Sequence, residues 1–369
     1  VTGLGSVTAS WWFRLVRRTV GAALVVALTV VFLALLPVSL LVAAVVSPFS
    51  QGRWRPIRLL WIATVQLVLE TTVLLALLVL WLMSGCGWRI RAPWFERRHY
   101  LLARWYLVTL FREARRVLRL KITTQGPAPD AHPGSPLLVC SRHAGPGDSL
   151  VLMYALMHWY DREPRVVLKD TLAWDPMVDT LLNRIPNRFI SGGPGDDVEE
   201  HIAHLATDLD DDDAFVIFPE GGNFTPKRRE RAIAKLRERG FHHMADRAEG
   251  MRNVLAPRPG GFLAALEASP DTDVLLVAHT GLDHVLTVGD VWRELPMDKE
   301  ITTRWWRVPR EEIPSGRDAQ IDWLYRWWED IDHWVEEHKP TDLGPIDPFG
   351  RLGRRPHQDV ADEARRRAD

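Results

Sequence analysis

Two short segments carry side chains able to do chemistry. Ser141-Arg-His-Ala-Gly-Pro-Gly-Asp-Ser149 sets His143 five residues before Asp148, and Phe218-Pro-Glu-Gly-Gly-Asn-Phe-Thr225 sets Glu220 ahead of Gly221 and Gly222. A histidine facing an aspartate across a tight glycine turn suits general-base catalysis. The carboxylate fixes the tautomer and offsets the imidazolium charge while the ring takes a proton from a hydroxyl. Spacing alone does not select this pair, because His357 and Asp362 repeat it in a polar tail. Context does: an apolar run precedes His143, glycines lie within the loop, and a helical pattern follows. In the second segment the paired glycines let backbone N–H groups approach an anion closely. Lys227 and Arg228 follow within a turn of helix and can reach a phosphate. Lys169 and Arg188 are further basic candidates for the same ligand. Taken singly, the second segment also reads as a strand-to-helix turn with a solvated basic face.

The elements that must position these residues can be read from apolar runs. Pro136-Leu-Leu-Val-Cys140, Pro164-Arg-Val-Val-Leu168, Ala214-Phe-Val-Ile-Phe218 and Val274-Leu-Leu-Val-Ala278 each predict a buried strand, with helical patterns between them. That alternation predicts an α/β domain with a largely parallel sheet over 126–340. Gly126–Ser135 reads as a linker, and 341–369, rich in Gly, Pro and Arg, reads as a disordered tail.

Upstream, a basic segment (1–19) leads into two hydrophobic helices over 20–84. Val20 to Phe49 carries no charge, and Leu59 to Met83 is interrupted mainly by Gln66 and Glu70. Each is long enough for a bilayer core. Glu70 is costly against lipid and is expected to face the partner helix or water. Pro37 permits a kink or a re-entrant hairpin. Arginines flank both ends of the hairpin and also occupy its turn, so a crossing with the catalytic domain on the cytoplasmic side and a hairpin that never crosses both fit. Residues 85–125 form an amphipathic membrane-proximal helix and a linker, the helix lying over 99–121.

Composition narrows the class further. The net charge is −1, so no global field draws the chain to nucleic acid. Two cysteines exclude a disulfide framework and fit a reducing compartment. Only six of the 46 basic residues are lysine, which points to a high-GC bacterial genome. His201 and His204 beside Glu199 and Glu200 read as a surface helix, so no metal is expected.

With these motifs in place, the chain resembles the glycerolipid acyltransferases of the PlsC type, represented by 1-acylglycerol-3-phosphate O-acyltransferase. His143 and Asp148 match that family's His-x-x-x-x-Asp block, and Phe218 to Gly221 match its Phe-Pro-Glu-Gly block. Phe224-Thr-Pro-Lys227 and Arg252–Phe262 are similar to segments of the membrane-embedded plant and animal branch. The resemblance spans roughly 120 to 290. It implies a membrane O-acyltransferase without a cofactor, using acyl-CoA or acyl carrier protein as donor and a lysophospholipid as acceptor. By the same resemblance, His143 is the base, Asp148 orients it, and Glu220 and Gly221 help bind the acceptor, 1-acylglycerol 3-phosphate or another lysolipid. The sequence departs from the pattern in its second block, where Arg188 precedes Phe189, and in its third, where Gly222-Asn223 stands for Thr-Arg. Two rivals remain. Gly147-Asp-Ser-Leu150 spells a GDSL-esterase signature, with Asp330 and His333 as its late partners, and the altered blocks fit a lipid-binding pseudoenzyme.

Overall fold

The computed structural model describes residues 11–49, 54–126, 134–190, 198–281, 283 and 300–340. The predicted tail lies outside these residues. All four predicted strands form, as β2 (Leu137–Ser141), β3 (Glu163–Lys169), β5 (Asp213–Ile217) and β6 (Asp273–Thr280). Three more complete the sheet: β1 (Lys121–Gln125), β4 (Arg188–Ile190) and β7 (Glu300–Val308). The order is β1-β7-β6-β2-β5-β3-β4. Strands β6, β2, β5, β3 and β4 run parallel, whereas β7 pairs antiparallel with β6, and β1 follows β7. Because β1 belongs to the sheet, the sheet starts before residue 126, where the sequence suggested the domain begins.

Central strands of a parallel sheet are covered on both faces, which is why they read as unbroken apolar runs. In β2 every residue is buried. Leu137 and Val139 pack with Leu152, Ala155 and Leu156 of α4 (Pro146–Trp159). Leu138 and Cys140 point the other way, into a core built with Phe262, Leu263 and Leu266 of α9 (Pro259–Ala268) and with Trp328 and Ile331 of α10 (Arg317–His338). The Trp-rich C-terminal helix is therefore core, with Trp328 fully buried.

Ahead of the sheet stand α1 (Trp11–Val46), α2 (Arg55–Met83) and α3 (Pro93–Leu118). Helix α1 continues through Pro37 without interruption. Helices α2 and α3 lie antiparallel along most of their length. Arg58 donates to the Val117 carbonyl. Trp61 donates to Glu113 at 3.1 Å, and Gln66 meets the Tyr106 hydroxyl at 3.0 Å. The buried face of α3 (Tyr100, Ala103, Tyr106, Leu107, Phe111) packs in one cluster with α2 and α4, which covers the side that the sequence assigned to headgroups. Helix α1 docks on α5 (Pro176–Leu182), where Arg17 and Arg18 pair with the buried Asp179 at 2.9 and 2.8 Å. Gly21 permits that approach, since a Cβ there would come within 2.8 Å of Pro176. Glu70 is half-buried, with Asp175 at the start of α5 as its acidic neighbour.

Candidate active site

Open parallel sheets bind ligands beyond the carboxyl ends of their strands. Here four adjacent strands each deliver a group there: β6 ends with His279, β2 leads into His143, β5 into Glu220, and β3 ends at Lys169. Residues far apart in the chain thus converge because β6, β2, β5 and β3 are neighbours.

The backbone of His143 is held on three sides. Its N–H donates to Glu220 Oε1 at 2.9 Å. Its carbonyl accepts from Phe224 N–H at 2.8 Å. The preceding carbonyl, that of Arg142, lies 3.0 Å from His279 Nε2. The 142–143 peptide is therefore clamped at its C=O by one element and at its N–H by another. Glu220 is 1% exposed, and its second oxygen accepts Leu255 N–H at 2.9 Å. Burial pushes its carboxyl up to about 7, opposed by those two N–H donors and by Arg142. Both oxygens are spent on backbone, so Glu220 lies under the site as a positioning residue.

The support extends deeper. Arg142, 2% exposed, donates to the carbonyls of Asn253 (3.0 Å) and His279 (2.6 Å) and pairs with Asp283 at 2.6 Å. Burial alone would raise the Asp283 carboxyl, but the Arg142 guanidinium, Gly281 N–H and the Thr280 hydroxyl hold it well below the usual carboxylate range. Asp332 of α10 accepts the N–H groups of Arg252 and Asn253 at 2.8 and 2.5 Å, fixing the loop that meets Arg142.

The His143 ring lies against Phe218, centroids 4.6 Å apart. Burial pushes the imidazole down to about 4; Asp148 pulls the other way, while His279, Lys169 and Arg228 add to the drop. The ring is neutral at physiological pH, the state a general base requires. The sequence predicts that Asp148 folds back onto the ring, and here the structure differs. Asp148 is the third residue of α4 and accepts the N–H of Gly145, as helix N-termini with unpaired donors favour. Its other oxygen lies 3.6 Å from His279 Nδ1. His143 Nδ1 is buried and has no hydrogen-bond partner among the described residues. Asp148 therefore acts on His143 through its charge.

Across the Gly221-Gly222 turn sits a cationic cluster. A Cβ at Gly222 would lie 3.0 Å from the Arg228 guanidinium and 3.6 Å from Lys169 Nζ, and one at Gly221 would lie 3.0 Å from Arg258. Gly221 also has φ +66°, open to glycine at little cost. Burial, Arg228 and Arg258 all lower the Lys169 ammonium. Among the described residues no carboxylate pairs with Lys169, Arg228 or Arg258. Such a set of mutually repelling cations is built to receive an anion.

Of the basic residues expected from sequence, Lys169 and Arg228 join this cluster. Lys227 is exposed on α7 (Pro226–Glu238), and Arg188 is exposed on the edge strand β4, with no described contact to the site. Arg258, Arg142, Asp283 and His279 were not legible as site residues. Ser149 of the esterase reading lies inside α4, whereas Asp330 and His333 sit on α10, where His333 bonds the Glu329 carbonyl of its own helix. Among the described residues, no group of three His, Cys, Asp or Glu side chains is placed to hold a metal ion.

Comparison with known proteins bears out the family resemblance. The family model described as Acyltransferase matches residues 119–279, from the strand β1 region to His279. Among solved structures, the chain is similar to the 1-acyl-sn-glycerophosphate (LPA) acyltransferase PlsC from Thermotoga maritima. The identity is 15% over 73% of this chain and 98% of that one, with a TM-score of 0.41. No curated protein matches the chain.

Proposed function

We propose, from the match of residues 119–279 to the acyltransferase family model, that this chain acylates a lysophospholipid at a membrane surface. The donor is the thioester of acyl-CoA or acyl carrier protein. The acceptor is 1-acylglycerol 3-phosphate, and the product phosphatidic acid. One observation supports this reading above the rest: a neutral, half-buried histidine stands beside a glycine turn ringed by three cations, Lys169, Arg228 and Arg258, that no carboxylate among the described residues pairs with. Neutral imidazole suits a hydroxyl, and clustered cations suit a phosphomonoester.

The residues divide the work as follows. With Nδ1 buried, His143 takes the acceptor's hydroxyl proton at Nε2 as that oxygen attacks the thioester carbonyl. The tetrahedral intermediate collapses, the C–S bond breaks, and the departing thiolate recovers the proton from the imidazolium. The buried Asp148 carboxylate offsets the transient positive charge. Lys169, Arg228 and Arg258 hold the phosphate and so fix the hydroxyl against the base. The arginine displaced from the family's third block is replaced from α7, because Arg228 reaches into the space that a side chain at Gly222 would fill.

The membrane reading rests on α1 and α2, both long and apolar enough to cross a bilayer. Helix α1 exposes Val20, Leu24, Leu28, Val31, Leu35 and Val38. A continuous apolar face of that length needs lipid or a partner. The catalytic domain is placed on the cytoplasmic side of the cell membrane, where thioester donors occur.

The test is thioester consumption by detergent-purified protein, with the acceptors lysophosphatidic acid, neutral-headgroup lysophospholipids, glycerol 3-phosphate and water. His143→Ala is expected to lose several orders of magnitude in turnover while remaining folded. Arg228→Ala is expected to raise KM for lysophosphatidic acid about ten- to a hundredfold, as the loss of a charge-assisted contact would, with KM for acyl-CoA unchanged. A rise confined to acyl-CoA would assign the cations to the donor's phosphates. Activity with water alone that survives His143→Ala and dies with Ser149→Ala would move the protein to the esterases. A folded wild type that leaves the thioester intact with every acceptor would support the pseudoenzyme.

A further inference from the structure

The site holds a second histidine that the reaction above does not use. His279, at the end of β6, is 7% exposed. Its Nε2 lies 3.0 Å from the Arg142 carbonyl, and a carbonyl only accepts, so Nε2 carries a proton. Its Nδ1 faces Asp148 Oδ1 at 3.6 Å. With Nε2 protonated, Nδ1 of the neutral ring is a bare lone pair opposite a carboxylate, and only the imidazolium donates on both sides. His279 thus bridges two parts of the catalytic apparatus: the peptide carrying His143, and the carboxylate whose charge supports His143.

From this geometry we infer that His279 is a positioning residue for the general base. It holds the 142–143 peptide through Nε2 and competes with His143 for the Asp148 carboxylate through Nδ1. Two consequences follow. The C=O end of the clamped peptide is held by His279 together with the Ser141 hydroxyl, which donates to it at 3.1 Å, as the N–H end is held by Glu220. The charge that Asp148 lends to His143 is also reduced whenever His279 draws on it. The same direction appears in the electrostatics of His143, which His279 lowers and Asp148 raises.

The other groups around the pair are accounted for. Arg142 pairs with Asp283, and Glu220 takes backbone donors. Lys169 and Arg228 act on His143 from β3 and α7. On β7 the register partner of His279 is the uncharged Thr303. Asp148 is thus the acid common to the two imidazoles.

The inference rests on His143 being the base, so its test needs a readout independent of acyl transfer. Two variants separate the contacts. Glutamine places an amide N–H near the position of Nε2 and keeps the peptide clamp, but carries no charge to Asp148; alanine removes both. With ring-labelled histidine in the full-length protein in detergent micelles, the His143 resonance is followed against pH. His279→Gln is expected to raise the His143 midpoint by about one unit, since Asp148 then serves one ring. In kinetics, His279→Ala should lower kcat about tenfold, the scale of one hydrogen bond, with acceptor KM little changed. His279→Gln should recover most of kcat, and both variants should move the acid limb of kcat/KM upward with the His143 midpoint. An unmoved His143 midpoint in a folded His279→Gln protein overturns the inference, whatever the activity. A shifted midpoint in a protein that transfers no acyl group would sustain His279 as the partner of this site and remove the reaction proposed for it.

Discussion

The acid limb of the pH profile follows from two buried groups whose states change in opposite senses. Glu220 is raised to about 7, so the ionised form that accepts two backbone N–H groups is lost as pH falls through that value. His143 is lowered to about 4, so its basic form persists until pH falls through that value. kcat/KM is therefore expected to decline in two steps, a partial one near 7 as the clamp weakens and a complete one near 4 as the base is protonated. Glu220→Gln should abolish the first step. Its amide also sets an NH₂ against a backbone N–H, leaving a buried donor unpaired at a cost of about 1–3 kcal/mol. That loss should appear in kcat and in the unfolding midpoint, with acceptor KM unaltered. A rise in KM alone would return Glu220 to the acceptor. At this scale the sequence was informative where a side chain's role is local. His143 stood out through its apolar run, its glycines and its spacing to Asp148. His279 ends a strand in the same way, but its role comes from lying beside β2, and strand order is not written in any local pattern. Arg258 was hidden for the same reason, since Arg258 N–H reaches the Pro219 carbonyl at 2.8 Å from a separate loop.

Among the elements, apolar runs identified β2, β3, β5 and β6 because parallel strands buried on both faces lack polar interruptions. β7 escaped notice because its burial alternates and Thr302, Thr303, Arg304 and Arg307 interrupt it. β1 was concealed by its polar text, Lys-Ile-Thr-Thr-Gln, at the sheet edge. The docking of α1 on α5 was equally invisible, since Arg17 and Arg18 read as flanking charges of a hydrophobic segment. In the structure they converge on Asp179, 1% exposed, which also accepts from the Asn183 side chain at 2.9 Å. Asp179→Ala leaves two guanidinium groups facing an apolar seam. Arg18 is a third exposed and can turn to solvent, so a loss of about 2–3 kcal/mol is expected rather than the full penalty of a broken buried pair. A lowered thermal midpoint should accompany faster proteolysis near the N-terminal end of α1. A midpoint unchanged within a degree would mean that α1 docks through Gly21 and Pro176 alone.

For the whole molecule, the question is how two helices apolar enough to cross a membrane and a charged α/β domain share a surface. If α2 crossed the bilayer, α3 would have to accompany it, because the two helices touch from Arg58 and Val117 to Gln66 and Tyr106 and share one apolar cluster out to Leu77. Helix α3 carries Glu96, Arg97, Arg98, Arg104, Arg112, Glu113, Arg115 and Arg116. Charges at every depth of the hydrocarbon are costly enough to disfavour that arrangement. A hairpin lying in one leaflet, with α3 as its polar cover, meets no such penalty. Exposed Leu150, Leu172 and Trp174 extend the apolar surface from α4 and the turn after β3. Lys169 directly precedes that turn, so the apolar surface leads up to the cationic cluster, and on the function proposed above a lysolipid would enter laterally, headgroup first. Two outcomes follow. A thiol introduced by Trp54→Cys in the hairpin turn should be modified by a membrane-impermeant reagent from the same side as the exposed Cys86, whereas a crossing hairpin would expose the two on opposite sides. Leu172→Asp combined with Trp174→Asp should raise KM about tenfold for an acceptor presented in vesicles, the effect of losing about 1.4 kcal/mol of apolar contact. The same pair should leave KM unchanged for a short-chain acceptor dissolved below its micelle threshold. Equal losses with both acceptors would place Leu172 and Trp174 in the pocket itself instead of at its membrane entrance.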